Sequence, residues 1–437
     1  MIKRRDNSCE SGRPPAVVLS GNITEKPGRL SINETALALT RSLGRRGVSV
    51  YRFHPDRSLA DLRSRYCTHV KCPNLYDSPA DLVRVLLDFA KDIKARPVLF
   101  PASDGSAKFI AANEQTLGSR FALTSPPASC MSRTQNKEAL LKAARSAGIE
   151  IPETHFPAAV TDLRHIAQSI SFPAVIKPLY SSDWKSARAR AVLGAVKAIT
   201  AENAAKLIEA GREVFELNTP FMVQEIIPGP EENLLTFIGY VGHDGRTLAG
   251  CVRKKLRQFP AGFGYCALTE TVRDPEIISL SSRLLAALGY RGIAGIEFKR
   301  DSRTGRAKLV EINTRAVRTS ALPIAAGVDF PWIAYQDSAN PGSVQPVLSY
   351  QVPVRWVHLY DEIKSAGALM WGGHMSVVEW IRGFRRKPLV IAEFSWDDMV
   401  PGLRFWSETP FRIVRNKFPR RDRRSTPAPP VNTEAGL

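Results

Sequence analysis

The chain has 437 residues, 44% of them hydrophobic, and 61 Lys and Arg against 42 Asp and Glu give it a net charge of +19. That length provides for two or three domains with sizeable cores, and the hydrophobic share is ordinary for a globular protein. No apolar run approaches the roughly 18 residues of a membrane span, and the basic start MIKRRDNSCESGRPP has no apolar segment behind it, which argues against a secretory signal.

From the start of the chain, AVVLSG at 16–21 is a short apolar strand ending in a turn. A helical pattern covers 34–46 with Gly47 suited to its C′ position, and VSVYRF at 48–53 is the next strand. A second helix covers 80–95. PVLFPASDG at 97–105 is a strand followed by a loop, and a helix begins near Ala107. This alternation predicts an open α/β domain with a parallel sheet. Asp104 falls just past a strand's C-terminal end, where such sheets bind ligands, although a helix N-cap is the plainer reading.

The Ser/Pro-rich bend TSPPAS at 124–129 marks a boundary. A helix is expected over 133–147 with Gly148 as terminator, then a short strand into Pro152. FPAVIKP at 172–178 is a buried strand, and 201–217 is helical. Three strands lie between Pro220 and Pro260, with turns at Pro228-Gly229-Pro230 and His243-Asp244-Gly245. A helix over 275–288 leads into GYRGIAGIEFKRDSRTGRAKLVEINTR at 289–315, two apolar strands around a polar turn. After about residue 345 the periodicity weakens, and no internal repeat is found. Between residues 382 and 424 there are 12 Lys and Arg against 5 Asp and Glu, and the end becomes Pro-rich and polar, the composition of a disordered tail. Such a basic tail suits contact with an anionic membrane or a polyanion, or it is simply a solvated end.

The 289–315 stretch is the most informative. Glu297 interrupts one apolar strand. Glu311 and Asn313, two apart, share a face of the other. Carboxylates in apolar runs are costly unless something pairs with them, and two carboxylates with an amide oxygen make the oxygen ligand set that a hard cation such as Mg²⁺ prefers. Arg315 follows, a residue type suited to phosphate or carboxylate. Other charges also sit in apolar surroundings. Lys137 opens a helix and Lys177 ends the strand AVIK. Gln224 and Glu225 end FMVQE, just before Ile226 and Ile227. Glu231 follows the Pro-Gly-Pro turn, and Arg253, Lys254, Lys255 and Arg257 form a basic cluster. Taken singly, each is most simply a solvated charge. The six cysteines, Cys9, Cys67, Cys72, Cys130, Cys251 and Cys266, show neither CxxC nor zinc-finger spacing, so unpaired thiols and a cytoplasmic location are expected. His155, His165, His243, His358 and His374 are scattered and read as structural or exposed.

In chain order these residues run Lys, Lys, Gln-Glu, Glu, Arg/Lys, Glu, Glu-x-Asn-x-Arg. The series is strongest in VQEIIPGPEENL, GIEFKR and LVEINTR. It resembles the ATP-grasp superfamily over roughly residues 130–330, of the carboxylate–amine ligase type, in a branch similar to D-aspartate ligase. The resemblance implies an α/β and α+β protein. An N-terminal open α/β (pre-ATP-grasp) domain at 1–125 would precede a two-lobed ATP-grasp fold at 126–345, with a lid lobe at about 150–220 and a C-terminal extension at 346–437 with a basic, partly disordered tail. It implies ATP and Mg²⁺ as cofactors, with Mn²⁺ as an alternative ion, and small carboxylates and amines as substrates. Lys137 and Lys177 fall where the family holds the nucleotide phosphates. Gln224, where many members have glutamate, faces the adenine amino group, backbone groups of Glu225 and Ile227 contact the ring, and Glu231 holds the ribose. Glu297, Glu311 and Asn313 match the metal ligands. Arg315 matches the arginine that faces phosphate or acyl phosphate, and Arg253 and Lys254 fall near the residues serving the transferred phosphate. One departure stands out: the segment LYSSDWKSARARAVLG has no glycine before Gly194, where many members have a Gly-rich phosphate loop. Backbone amides at Ser181 and Ser182 are the substitutes the sequence offers. The expected reaction activates a carboxylate as an acyl phosphate, which an amine or thiol then attacks. The alternatives are another ATP-grasp phosphotransfer or carboxylase chemistry, and a non-catalytic nucleotide- or polyanion-binding protein.

Overall fold

The computed structural model describes residues 13–21, 31–180, 183–194, 196, 198–260, 264–385 and 388–407. Ser181, Ser182, Cys9 and the basic tail beyond residue 407 lie outside the described residues. β1 (Ala16–Leu19), β2 (Val50–Phe53), β3 (Cys67–Val70), β4 (Val98–Pro101) and β5 (Ala122–Leu123) form a parallel sheet in the order β3-β2-β1-β4-β5. Ala16 and Val18 pack toward helix Glu34–Arg45, whereas Val17 and Leu19 pack with Leu82 and Leu86 of helix Pro79–Lys91. Cover on both faces explains why the strand is apolar at every position. The order reverses between β1 and β4, so ligand-binding loops converge there. Asp104 is the first residue of helix Asp104–Ala112, but it is not the cap. Ser103 caps that helix in a box with Ser106, which leaves the Asp104 carboxylate available for a distant partner.

The helix expected over 133–147 is two helices, Ala128–Gln135 and Lys137–Ser146. Asn136 between them is extended, and its side chain accepts from Ala139 N (3.1 Å), restarting the helix at Lys137. Gly148 has φ +66°, the left-handed conformation that ends the helix as expected. β6 (Thr154–His155), β7 (Ala174–Pro178), β8 (Ile199–Ala201) and β9 (Phe221–Glu225) then form an antiparallel sheet in the order β6-β9-β7-β8. Helices Asp162–Ser169 and Ala204–Phe215 cover it through Leu163, Ile166, Leu207 and Val214. The helix expected at 201–217 is shorter because its first residue pairs in β8, and this lobe runs on to Glu225. Where a Gly-rich loop was missing, short helical turns at Asp183–Lys185 and Ala187–Leu193 connect β7 to β8.

The third sheet holds β10 (Leu234–Val241), β11 (Thr247–Phe259), β12 (Tyr265–Thr271), β13 (Gly292–Arg300), β14 (Ala307–Asn313), β15 (Arg355–Val357) and β16 (Leu389–Ile391), in the order β14-β13-β10-β11-β12-β15-β16. Its last two strands come from the segment expected to be a separate extension after residue 345. That segment therefore completes the central sheet. Leu235, Phe237, Val252, Ile296 and Phe298 face helices Lys137–Ser146 and Pro275–Ala287. On the other face, Ile238, Tyr240, Cys251 and Ile293 pack with helix Phe330–Ala339 and the N-terminal domain. That second face is apolar at one end only. At the other end the side chains become charged.

Candidate active site

Strand register builds the charged end. Glu311 of β14 is directly opposite Glu297 of β13, Glu297 is opposite Thr236 of β10, and Thr236 is opposite Arg253 of β11. Side chains directly opposite one another share a face, so these four form a row across the sheet. A bulge after Glu297 skips Val310, and Lys299 opposite Lys308 then falls on this same face. Asn313, opposite Gly295, lies one row over, and its Nδ2 reaches Glu311 Oε1 at 3.4 Å.

The row is electrostatically unbalanced. Glu311 reaches solvent at the cleft floor, but desolvation in the cleft and the Glu297 charge beside it raise its carboxyl above the ordinary range. Buried Arg253 approaches Glu297 only to 3.8 Å. Its Nη1 donates to Thr269 Oγ1 (3.3 Å) and Cys266 Sγ (3.5 Å), and its Nε has no hydrogen-bond partner among the described residues. The buried Thr236 hydroxyl between them is likewise without a partner. A divalent cation fits this arrangement, because it relieves the Glu297–Glu311 repulsion. Among the described residues no group of three or more His, Cys, Asp and Glu is arranged to hold a metal ion by itself. Two carboxylates and an amide are what Mg²⁺ uses when phosphates and water complete its shell.

The smaller sheet faces this row. Lys177 of β7 donates to Gln224 Oε1 (3.1 Å), and Gln224 Nε2 donates to Thr154 Oγ1 (2.9 Å). The Gln224 amide oxygen is thus partly engaged, with a second lone pair remaining. Lys137 donates to the carbonyls of Pro178 (2.7 Å) and Leu179 (3.1 Å), which fixes its helix to the end of β7. Burial lowers both lysines. The charge of Lys177 lowers Lys137 further, to about 8, and both feel Glu311. Lys137, Lys177, Glu311 and Glu297 therefore converge.

Other expected residues are placed differently. The Glu225 side chain is taken up by Arg303 (2.9 Å) and Lys308, and its amide donates to Glu153 O (2.9 Å). Burial works to raise its carboxyl, and Lys308 and Arg303 overcome this and hold it low. Ile227 is buried just beyond. Glu231 accepts from Gln258 Nε2 (2.7 Å), and Gln258 Oε1 accepts from Lys255 Nζ (3.2 Å). Lys254 faces the opposite side of β11 from Arg253, 3.2 Å from Glu270, because adjacent residues on a strand alternate faces. Lys255 is the neighbour on the cleft side, and the same alternation in the sequence would have selected it. Arg315 makes a two-point ion pair with Asp104 of the N-terminal domain (2.7 and 3.0 Å), and its Nη1 donates to Ala316 O. Asp104, 211 positions away in sequence, had no local signal to name it as this partner. Among the described residues the cysteines are free, and burial pushes Cys130 up to about 11 and Cys67 and Cys72 up to about 12, so these thiols are not nucleophiles near neutral pH.

Residues 218–359 match the family described as ATP-grasp in the biosynthetic pathway with Ter operon. The chain is 23% identical over 322 residues to D-aspartate ligase of Enterococcus faecium, covering 71% of this chain and 76% of that protein. Its fold is similar to a crystal structure of L-amino acid ligase from Bacillus licheniformis, with a TM-score of 0.52 and 16% identity over 77% of this chain and 78% of that one. It is also similar to N5-carboxyaminoimidazole ribonucleotide synthetase in complex with ADP, with a TM-score of 0.58 and 12% identity over 80% and 85%. With an open α/β domain leading into two further sheets, the chain shares the fold of these two enzymes, and residues 218–359, which carry most of the larger sheet, match the ATP-grasp family.

Proposed function

We propose that this protein is an ATP-dependent ligase that joins a carboxylate to an amine through an acyl phosphate. The observation that carries the proposal is the Glu311–Glu297–Thr236–Arg253 row set opposite Lys137 and Lys177. A carboxylate oxygen of the substrate attacks the γ-phosphorus of ATP, the bond to the β-phosphate oxygen breaks, and ADP departs. The amine nitrogen then attacks the acyl carbon, loses a proton and displaces phosphate. Neither step needs a protein nucleophile. The protein positions the reactants and neutralises charge.

Glu297, Glu311 and Asn313 would hold Mg²⁺, or Mn²⁺ in its place, which would neutralise phosphate charge. Lys137 and Lys177 bind phosphate oxygens from the opposite sheet. Gln224 offers its remaining lone pair to the adenine amino group, the Glu225 carbonyl and Ile227 backbone meet the ring, and Glu231, steadied by Gln258, takes the ribose. Arg253 has an unpartnered Nε and a loose partner in Glu297, which suits it to the charge that develops on the transferred phosphoryl group. Arg315, held by Asp104, is a fixed positive charge beside the acyl phosphate. Lys254 has no part in the site. The likeness to D-aspartate ligase supports an amino acid as one substrate, and dependence on ATP with unpaired cysteines fits the cytoplasm.

The test is ADP release by the purified protein against a panel of amino acids and small carboxylates. Release should require one carboxylate and one amine together, and Glu311→Gln should lower kcat/KM by about a hundredfold or more, since one anionic ligand is lost. Full activity in that variant would sink the metal assignment. Release that ignores the amine would sink the ligase.

A further inference from the structure

Outside the cleft, the fold leaves an apolar helical face without a partner among the described residues. Helices Leu359–Trp371 and Val377–Phe384 form a hairpin against the large sheet. The first helix buries Glu362, Ser365 and Ala366, whereas the second has no buried residue. Its inner side leans on the first through Trp380, whose Nε1 donates to Glu362 Oε1 (3.1 Å) and whose ring meets Phe384 edge-on. Its outer side presents Val377, Val378 and Ile381, spaced as one helical face and 57%, 56% and 54% exposed. Trp371, at the end of the first helix, is 95% exposed. Glu379, the only acid on the second helix, is turned back to cap its start, accepting from Ser376 N (2.7 Å) and Ser376 Oγ (2.8 Å). The charges left at the rim are the exposed Arg382 and Arg385.

We propose that this hairpin is an interfacial anchor that seats the protein on an anionic lipid surface. The chemistry of the face selects that occupant. An amphipathic helix with aliphatic residues outward, a tryptophan at the edge and arginines beside them lies in the plane of a bilayer, its apolar side among the acyl chains and its arginines at the phosphates. The rest of the chain has the matching sign: net +19 overall, and 12 Lys and Arg against 5 Asp and Glu between residues 382 and 424. A second copy of the chain is a poorer occupant, because it would set Arg382 and Arg385 against their own counterparts. No helix among the described residues is long and apolar enough to cross a membrane, so the contact is peripheral.

The full chain is sedimented with vesicles of phosphatidylcholine alone or of phosphatidylcholine mixed with phosphatidylglycerol. Binding is expected to the mixed vesicles and to fall off with salt. Val378→Asp combined with Ile381→Asp should reduce the partition coefficient about tenfold or more, with circular dichroism and melting unchanged because both positions are exposed. The basic tail stays in place in this variant, so the loss reads the hairpin. Equal binding by variant and wild type overturns the proposal and assigns any lipid contact to the tail. Absence of wild-type binding overturns it too. A wild-type dimer that the double variant converts to monomer would replace the lipid surface with a second copy.

Discussion

At the scale of single residues, Lys137 and Glu311 titrate in opposite senses, and this can be measured. Lys137 is lowered to about 8 by burial and then by Lys177, so its positive form dominates below that pH and is lost above it. Glu311 is raised by desolvation and by Glu297, so it is neutralised from the acid side earlier than an ordinary carboxylate. A divalent cation needs Glu311 ionised, and a phosphate needs Lys137 charged. Affinity for Mg²⁺ with a non-hydrolysable ATP analogue should therefore weaken on the acid side as Glu311 is neutralised, and on the alkaline side as Lys137 loses its charge above about 8. Lys137→Arg should remove the alkaline loss and leave the acid one, as titration calorimetry would show. An unchanged alkaline limb would mean that Lys137 does not meet phosphate. Glu297 and Glu311 stood out in the sequence as carboxylates in apolar runs, which are expensive unless something pairs with them, whereas Lys137 and Lys177, taken singly solvated charges, were named only by their order along the chain and the resemblance it carries. The partner of Arg315 was not legible, because a contact across 211 positions leaves no trace in local pattern.

At the scale of elements, strand parity decides which basic residue matters. Arg253 and Lys255 share one face of β11 with the cleft, and Lys254 takes the other with Glu270. Lys255→Met should weaken nucleotide binding about tenfold through the lost Gln258–Glu231 support, while Lys254→Met should change it by less than about twofold. Equal effects would mean that this face does not line the nucleotide site. Periodicity placed most strands and helices, since apolar spacing is a local property. It missed the break at Asn136, where a good capping residue inside a helical pattern restarts the helix. It also missed β15 and β16, three residues each, which are too short to show alternation and are held as strands by pairing with distant neighbours. The facing carboxylates were legible as far as their residues. That Glu297 and Glu311 are exactly opposed depends on the bulge at Val310, which the sequence does not announce.

At the scale of the whole molecule, a buried ionic cluster joins the first domain to the last segment. Glu34, at the start of the first helix, meets Arg318 (2.8 Å) and His358 (2.8 Å), while Asp361 meets Arg318 (2.6 Å) and His358 (3.3 Å), with Glu393 at 3.6 Å. Arg318 is thereby saturated by protein acids. Burial and Arg318 both oppose charge on His358, and Glu34 and Asp361 overcome them, raising it from 6.5 to about 9. A raised histidine stabilises fully below its ordinary value and loses that contribution as pH climbs through about 9. The melting temperature should therefore fall across that interval, with on the order of 3 kcal/mol at stake at most, and His358→Gln should flatten the slope. A slope that survives in the variant would place the titration elsewhere. Arg41 with Asp398 (2.9 Å) and Arg45 with Asp397 (2.7 Å) add further ties between the same two regions. The seven-stranded sheet carries this integration one step further. β15 and β16 lie outside β12, so they seal what would otherwise be a raw edge of unpaired amides and carbonyls. The stretch that bears the charged row is consequently not a module. Trimmed out of its chain, it would recruit strands from its neighbours and polymerise before it could meet a nucleotide.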